Sequence, residues 1–300
     1  MPGSKHFIEI EVLVDESSAA ALTYGRDAID EILILHLENG RDIFLTVSGS
    51  YRPSCFGCDL WTLCHSMRPI KDMTIEDLKE LSRSQNSVEN GIDALSLSSS
   101  SEVLNGGGPS TPQHAYDIPK ELWVLVDHIF KYGIEKKDLF NDTSGDPSAL
   151  MRVRDFLDSY TPDMDFPSPE AGFTVDAVAW ALSVFLKSLP EPIIPFRLYD
   201  KCLTSALNAN EAMDVIQQLP SFHRSSFQYL VAFINELLHH RDKNELDWTI
   251  VATVFGELII RSPTAAVEDD GLALSRLGQK KMQFLSHFLD NNDVHDINTY

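Results

Sequence analysis

A nearly continuous apolar stretch, TVDAVAWALSVFLKSLPEPII, occupies residues 174–194. At 100° per residue, its polar side chains Asp176, Ser183 and Lys187 fall in one narrow stripe, so neighbouring elements must cover the rest of the helix surface. Thr174 is a typical helix N-cap, and the two prolines near the end of the stretch cannot continue a helix. The pattern therefore predicts a buried central helix that meets solvent or a partner only along this stripe.

The chain from Pro119 onward has the apolar period of helices. Proline suits a first helical turn, and the apolar residues after it, as far as Phe130, recur on one face. Trp123 lies at the border of that face, and it is either a partly buried tryptophan or an anchor in a surface groove. Besides the helix that begins at Pro119, helices are predicted at residues 147–159, 175–189, 196–206, 210–218, 223–240, 246–260 and 279–290.

The beginning of the chain has the pattern of β-strands. Residues 7–14 (FIEIEVLV) alternate apolar and polar side chains, and two further apolar runs at 32–37 and 43–47 flank an Asn-Gly pair at 39–40. Asn-Gly is the preferred pair for a two-residue type I′ hairpin turn. Residues 1–50 thus read as β, but they supply only about three or four strands, where a sandwich needs roughly seven. We expect the rest of a sandwich to lie upstream.

A turn-rich segment at 51–63 follows the predicted strands, and a short amphipathic helix is predicted at 71–84. The one Cys-x-x-Cys pair is followed by Cys-His but by no second pair at zinc-finger spacing. No metal site is predicted, and the cysteines are expected to be packed in the interior or exposed as thiols. The residues concerned are Cys55, Cys58, Cys64 and His65.

Phe56 lies in this turn, one residue before a glycine. A large apolar side chain in a turn between domains is either a plug for the domain junction or a contact for a partner. Both alternatives stay open from the sequence.

Composition limits the classes of function. With 45 acidic and 24 basic residues, the formal net charge is -21, which argues against non-specific binding to nucleic acid or to an anionic membrane. The four cysteines fit a reducing compartment such as the cytoplasm. The sequence contains neither a phosphate-binding glycine loop nor a nucleophile in a strand-turn-helix motif, and no cofactor is predicted.

The Ser- and Gly-rich stretch 85–114 predicts a disordered linker.

Four ordered motifs carry a resemblance. They are YGIEKKDLFNDTSG at 132–145, FLKSLPEPII at 185–194, LPSFHR at 219–224 and VFG at 254–256. Together they resemble the RhoGAP domain of Rho-family GTPase-activating proteins. Further segments are DIFLTVSGSY at 42–51, PSCFG at 53–57, PKELWVLVDH at 119–128 and LPEP at 189–192. Through them the whole chain is similar to the C-terminal half of the Lowe-syndrome type of inositol polyphosphate 5-phosphatases, where an immunoglobulin-like ASH domain precedes a RhoGAP-like domain.

The resemblance implies a mainly α fold, with a RhoGAP-like helical bundle preceded by a partial antiparallel ASH β-sandwich. The expected division is 1–58 for the ASH part, 59–84 for a connecting segment, 85–114 for the linker, 115–292 for the RhoGAP-like domain and 293–300 for a tail.

The resemblance also locates the positions of a GTPase-activating site. Its arginine finger falls at Asn141, its lysine at Ser183, its second arginine at Lys187 and its asparagine at Ile250. Asparagine carries no positive charge and is shorter than arginine. Several losses in one site imply a catalytically inactive domain. Arg152 and Arg154 could replace the finger, although solvated charges on a helix face are the simpler interpretation.

The implied partners are Rab GTPases, Rac-like and Cdc-like Rho-family GTPases, and endocytic adaptor peptides. By the resemblance, Phe56 belongs to the Rab-contact region and Trp123 lines a groove for a short helix with Phe and His anchors. Recruitment to endosomes, Golgi and plasma membrane would then occur through protein partners. Three alternatives remain: a weak GTPase-activating protein, part of a phosphoinositide 5-phosphatase with its catalytic domain upstream, or a scaffolding fragment with an unfolded β region.

Overall fold

The computed structural model describes residues 7–37, 40–84, 116–140, 146–263 and 271–290. This part of the chain is mainly helical and contains a two-stranded antiparallel sheet near the N-terminus, as predicted. The strands are β1 (Ile29–Leu35) and β2 (Ile43–Gly49). The helices are α1 (Glu16–Thr23), α2 (Leu60–His65), α3 (residues 75–84), α4 (Lys120–Gly133), α5 (Pro147–Ser159), α6 (Val175–Ser188), α7 (Tyr199–Thr204), α8 (Ala209–Gln217), α9 (Ser221–His239), α10 (Arg241–Asn244), α11 (Trp248–Ile259) and α12 (Gly271–Ser286).

The predicted β1–β2 pairing is confirmed, but its register differs by one residue from the register that the predicted turn would give. A two-residue turn at 39–40 would pair Leu35 with Phe44, whereas the ladder pairs Leu35 with Ile43. The observed register also places His36 opposite Asp42, and their Nδ1 and Oδ1 atoms lie 2.9 Å apart. This cross-strand contact favours the observed register over the one that the turn pattern predicts.

The prediction of a strand at 7–14 is wrong. These residues form no strand, and the side chains of Phe7 and Leu13 are almost fully exposed. A segment of alternating apolar and polar residues forms a strand only where it can pair with the edge of a sheet. Within the described residues β1 and β2 pair only with each other.

Residues 1–50 are not all β, because α1 lies among them. The Asp15 carboxylate accepts a hydrogen bond from Ser18 N at 2.8 Å and caps this helix. Alanine-rich sequence favours the helical backbone, and α1 packs against α6. The helix was not predicted, because the alternating segments on either side favoured a β interpretation of the whole region.

The central helix α6 is confirmed. The Thr174 hydroxyl accepts from Ala177 N at its N-terminus, and the helix ends just before the first of the two prolines. Helices α1, α4, α5 and α11 pack around α6, which covers it as the apolar pattern requires. The exposed line along α6 contains Asp176 and Lys187 but also the half-buried Trp180.

Most helix boundaries agree with the sequence pattern, but α2, α10 and α12 differ, and α10 is a short helix between two predicted ones. Helix α12 begins at Gly271, well before the predicted start at 279. Helix α2 lies in the segment that was predicted to be a turn-rich exit, where the Asp59 carboxylate caps it by accepting from Thr62 N at 2.7 Å. A single apolar core within the described residues includes Tyr24 and extends from Cys55 to Leu289. The proposed domain division remains a prediction.

Candidate functional site

A cavity of about 570 Å³ opens beside α6 at the loop that follows α4. We call it the finger-loop cavity, because the loop leads to position 141. Its apolar lining comes from Trp180 on α6, Ala149 on α5 and the loop residues Leu139 and Phe140, among others. Its polar and charged lining residues are Lys136, Lys137, Asp138, Asp146, Thr174, Asp176 and Ser183.

The loop itself is fixed by side chains at several points. Lys136 Nζ lies 2.7 Å from Asp176 Oδ2 on α6, and Lys137 forms an ion pair with Glu245. Asn244 donates from Nδ2 to the backbone oxygen of Ile134 at 2.9 Å. The cavity wall on this side is therefore held by both α6 and the α10 turn.

Two loop residues have a left-handed backbone. Asp138 has a φ of 59° and Phe140 a φ of 71°, a region that non-glycine residues rarely adopt. The Phe140 ring packs edge to face against Phe255 with centroids 5.2 Å apart, and Leu139 is buried. Packing of the aromatic ring offsets the backbone strain at this position.

The sequence-predicted GTPase-activating positions are only partly brought together. Ser183 lines the cavity, is 9% exposed and donates from its hydroxyl to the backbone oxygen of Ala179 at 3.2 Å. Lys187, one turn further along α6, is exposed and is not among the lining residues. Ile250 is half-buried in the first turn of α11 and packs against the core. Asn141 lies outside the described residues.

The two candidate replacement arginines have different surroundings. Arg154 donates from Nε to the Ser54 hydroxyl at 3.2 Å and lies over the Phe56 ring at 6.0 Å. Arg152 is exposed, and its Nη2 lies 3.9 Å from Asp146 Oδ2. Arg154 is thus engaged with the 54–56 turn and is not simply a solvated charge.

Asp158 fixes the 54–58 turn against α5. Its Oδ1 accepts from Cys55 N at 2.7 Å and from the Ser54 hydroxyl at 3.0 Å. Burial raises the pKa of the Asp158 carboxyl, and these hydrogen bonds offset part of the increase. Phe56 is 5% exposed and meets Phe185 of α6 edge to face. Its geometry corresponds to the junction plug, and a contact with a partner would require the ring to leave this position.

The three cysteines of the 55–64 region are buried. Burial raises the pKa of each thiol, and the nearby Glu121 carboxyl adds to the increase. Among the described residues, no group of three or more His, Cys, Asp or Glu side chains has the arrangement of a metal site. His65 stacks on Trp61, with ring centroids 3.9 Å apart.

A second surface lies on α4. Trp123 is 45% exposed and Phe130, seven residues later on the same face, is 50% exposed. Asp127 and Lys131 flank them with an ion pair of 2.6 Å. We call these four residues the α4 face. The assignment of Phe130 to the buried stripe is wrong, because it lies at the edge of the stripe next to Trp123.

Trp180 is a candidate binding residue that the sequence reasoning missed. The exposed stripe of α6 was defined by its polar residues, so a tryptophan at its edge was counted as core. At 100° per residue Trp180 falls about 20° beyond Lys187 and about 40° from Asp176, which places it at the edge of the stripe. No helix among the described residues is both long and apolar enough to cross a bilayer.

Comparison with known proteins agrees with this architecture. A RhoGAP domain model matches residues 119–264, and the model of the ASH domain of OCRL-like inositol polyphosphate 5-phosphatases matches residues 1–51. Mouse type II inositol 1,4,5-trisphosphate 5-phosphatase is 36% identical over 291 residues, which are 96% of this chain and 26% of that protein. Mouse Rho GTPase-activating protein 22 is 31% identical over 144 residues, covering 45% of this chain and 20% of the relative.

Among solved structures, human Rho GTPase activating protein 15 has a TM-score of 0.49 at 17% identity and covers 57% of this chain and 81% of that one. The domain matches define a RhoGAP-domain protein with an adjoining ASH domain. Over this ASH–RhoGAP region the chain is similar to the OCRL-like inositol polyphosphate 5-phosphatases. The predicted resemblance is therefore confirmed. The chain spans about a quarter of the length of the 5-phosphatase that it matches.

Proposed function

We propose that the helical domain is an interaction module that binds Rho-family GTPases without accelerating GTP hydrolysis. The observation that carries the proposal is Ser183, which faces the finger-loop cavity with a hydroxyl bonded to its own helix. The resemblance assigns a lysine to this position and an arginine to position 141. Relatives named Rho GTPase-activating proteins support the class of partner.

The charges around the cavity support inactivity. An arginine finger stabilises the charge on the transferring phosphoryl group and contributes about 10³ to 10⁵ in rate, or about 4 to 7 kcal/mol. In this cavity Lys136 is paired with Asp176 and Lys137 with Glu245. Asp138 also lines it, so developing negative charge would meet carboxylates rather than an uncompensated cation.

The test is single-turnover GTP hydrolysis by a Rac-like GTPase, with this protein at a concentration that saturates a separately measured binding curve. We expect the complex to form and hydrolysis to stay at the intrinsic rate. An acceleration of about 100-fold or more, about 2.7 kcal/mol of transition-state stabilisation, would contradict inactivity. Absence of binding would contradict the choice of partner.

A pair of tryptophan variants tests which surface binds the GTPase. Trp180→Leu should weaken GTPase binding, because Trp180 lines the finger-loop cavity. Trp123→Ala should leave that binding unchanged, because Trp123 belongs to the α4 face. Circular dichroism and urea unfolding of both variants separate a lost contact from a lost fold.

We further propose that the α4 face binds short helical peptides with Phe and His anchors, such as those of endocytic adaptors. The exposed aromatic pair Trp123 and Phe130 supports this, since aromatic anchors dominate helix-in-groove interfaces. In a titration with such a peptide, Trp123→Ala should lose binding. Met213→Ala removes an equally exposed apolar side chain on α8 and should not.

Rab binding through Phe56 is the least supported of the proposed interactions, because the ring is buried against Phe185. A role in membrane trafficking follows from the proposed partners. Recruitment to endosomes, Golgi or plasma membrane would depend on them, since a net charge of -21 disfavours direct adsorption to anionic lipid.

A further inference from the structure

The loop between α5 and α6 contains the same triplet twice. Thr161-Pro162-Asp163 and Ser168-Pro169-Glu170 each place a hydroxyl before a proline and an acid after it. A backbone hydrogen bond of 3.0 Å closes a turn at each triplet, from Met164 N to the Thr161 oxygen and from Ala171 N to the Ser168 oxygen. The nearby hydroxyl lowers the pKa of the carboxyl two residues later in both triplets. The acidic residue of each triplet is exposed, so each turn lies at the surface of the domain.

Ser168 has the backbone that an extended substrate requires. Its φ is -72° and its ψ is 164°, and it is preceded and followed by proline. Thr161, by contrast, directly follows the buried Tyr160 at the end of α5. Both hydroxyl residues are half-buried, and Ser168 is the one that lies in extended backbone between two prolines, which fits an enzyme that recognises serine followed by proline.

The loop is anchored by an aromatic side chain between the two triplets. Phe166 is half-buried, and its ring centroid lies 5.0 Å from those of Phe156 and His128 and 5.5 Å from that of Phe173. Phe173 also packs against Phe156, at 5.6 Å. Phe166 therefore packs the loop against both α4 and α5, and Phe173 adds a second contact with α5.

We propose that Ser168 is a site of phosphorylation by a proline-directed kinase, and that the phosphate releases Phe166 from its aromatic pocket. In the reaction the Ser168 oxygen bonds the γ-phosphorus of ATP and the bond from that phosphorus to the bridging oxygen breaks. The hydroxyl proton passes to the catalytic base of the kinase, and ADP leaves.

Phosphorylation of Ser168 would act on the loop through the charge of the phosphate. A phosphoserine carries about -1.5 to -2 at pH 7, and at Ser168 this charge would lie two residues from the Glu170 carboxylate. Residues 161–173 already contain Asp163, Asp165 and Glu170 but no lysine or arginine. Like charges at such short separation oppose the turn, so the loop loses the local structure that positions Phe166.

The first experiment treats the full chain with a purified proline-directed kinase and ATP, and maps the phosphate by mass spectrometry. We expect Ser168 to be modified in the folded protein. Pro169→Ala keeps the hydroxyl but removes the recognised proline, and it should abolish the reaction at this site. A peptide of residues 160–174 serves as a positive control. Modification of the peptide but not of Ser168 in the folded chain would overturn the proposal.

The second experiment compares hydrogen exchange of residues 160–173 before and after phosphorylation. Release of Phe166 predicts exchange faster by about tenfold or more, which corresponds to about 1.4 kcal/mol of local stability. Phe166→Ala should reproduce much of this acceleration without any phosphate. Unchanged or slower exchange, as capture of the phosphate by the nearby Arg152 would give, would overturn the release step.

Discussion

The rings of Phe56 and Phe185 meet edge to face, with centroids 5.8 Å apart and planes at 88°. Phe56 belongs to the turn that follows the β-strands, and Phe185 to the fully buried side of the central helix. Asp158 holds the same turn through Cys55 and Ser54. The turn is therefore part of the core of the helical domain and not a free connection.

Replacing Phe56 with alanine should destabilise the protein by about 3 to 5 kcal/mol, because it removes a buried aromatic ring and leaves a cavity beside Phe185. Urea unfolding at neutral pH measures the change. Phe44→Ala is the matched control: its ring is exposed on β2, and the expected loss is below about 0.5 kcal/mol. Similar losses of unfolding free energy in the two variants would contradict the role of Phe56 as a plug of the domain junction.

The four cysteines should resist alkylation in the native protein. All are buried, and burial raises the pKa of every thiol, that of Cys202 to about 12. Because the thiolate is the nucleophile, iodoacetamide at pH 8 should modify them slowly, and rapidly only in urea. Rapid modification of Cys55 or Cys58 without denaturant would show that the 54–58 turn opens readily.

Elements with strong local signals were predictable from the sequence. Helix α5 has a proline at its first position and the Asp146 cap, and α6 has the Thr174 cap and terminal prolines, so their limits follow from neighbouring residues. The observed hairpin register could not be predicted in this way. It depends on pairing across the sheet, as in the contact between His36 and Asp42.

The candidate sites show the same division. Ser183 was placed on the central helix by its motif, and the structure adds that it lines a cavity. Whether Phe56 points inward could not be derived from its turn, because its partner Phe185 is distant in sequence. Trp180 could not be recognised from the sequence, because an apolar residue beside a polar stripe is normally assigned to the core. Only the structure shows that the neighbouring loop leaves a cavity there.

Stability should fall below about pH 6.5 partly because of His128. The residue is 1% exposed, and burial lowers the pKa of its imidazole from 6.5. The unfolded chain therefore takes up a proton at a higher pH than the folded one, so stability is present above 6.5 and is lost as the pH falls through that value towards the folded pKa. One proton contributes at most about 1.4 kcal/mol per pH unit.

His128→Phe keeps the ring contacts with Tyr132 and Phe166 and removes the titration. The difference in unfolding free energy between pH 7.5 and 5.5, measured in urea, should become smaller than in the unmodified protein. An unchanged difference in His128→Phe would assign the acid sensitivity to other groups, such as the buried His223.

Ser183→Lys should be tolerated although Ser183 is 9% exposed. The side chain faces a cavity of about 570 Å³, where Asp138, Asp146 and Asp176 can pair with the new ammonium group. We expect the free energy of unfolding to fall by less than about 1.5 kcal/mol, close to the value of the single hydroxyl hydrogen bond that is removed.

Ala181→Lys is the matched control on the same helix. Ala181 is fully buried and does not line the cavity, so its replacement should cost more than about 3 kcal/mol by burying an unpaired charge. Equal losses in urea unfolding would mean that the cavity does not admit a long side chain. The GTPase-activating lysine could then not be restored by substitution at Ser183 alone.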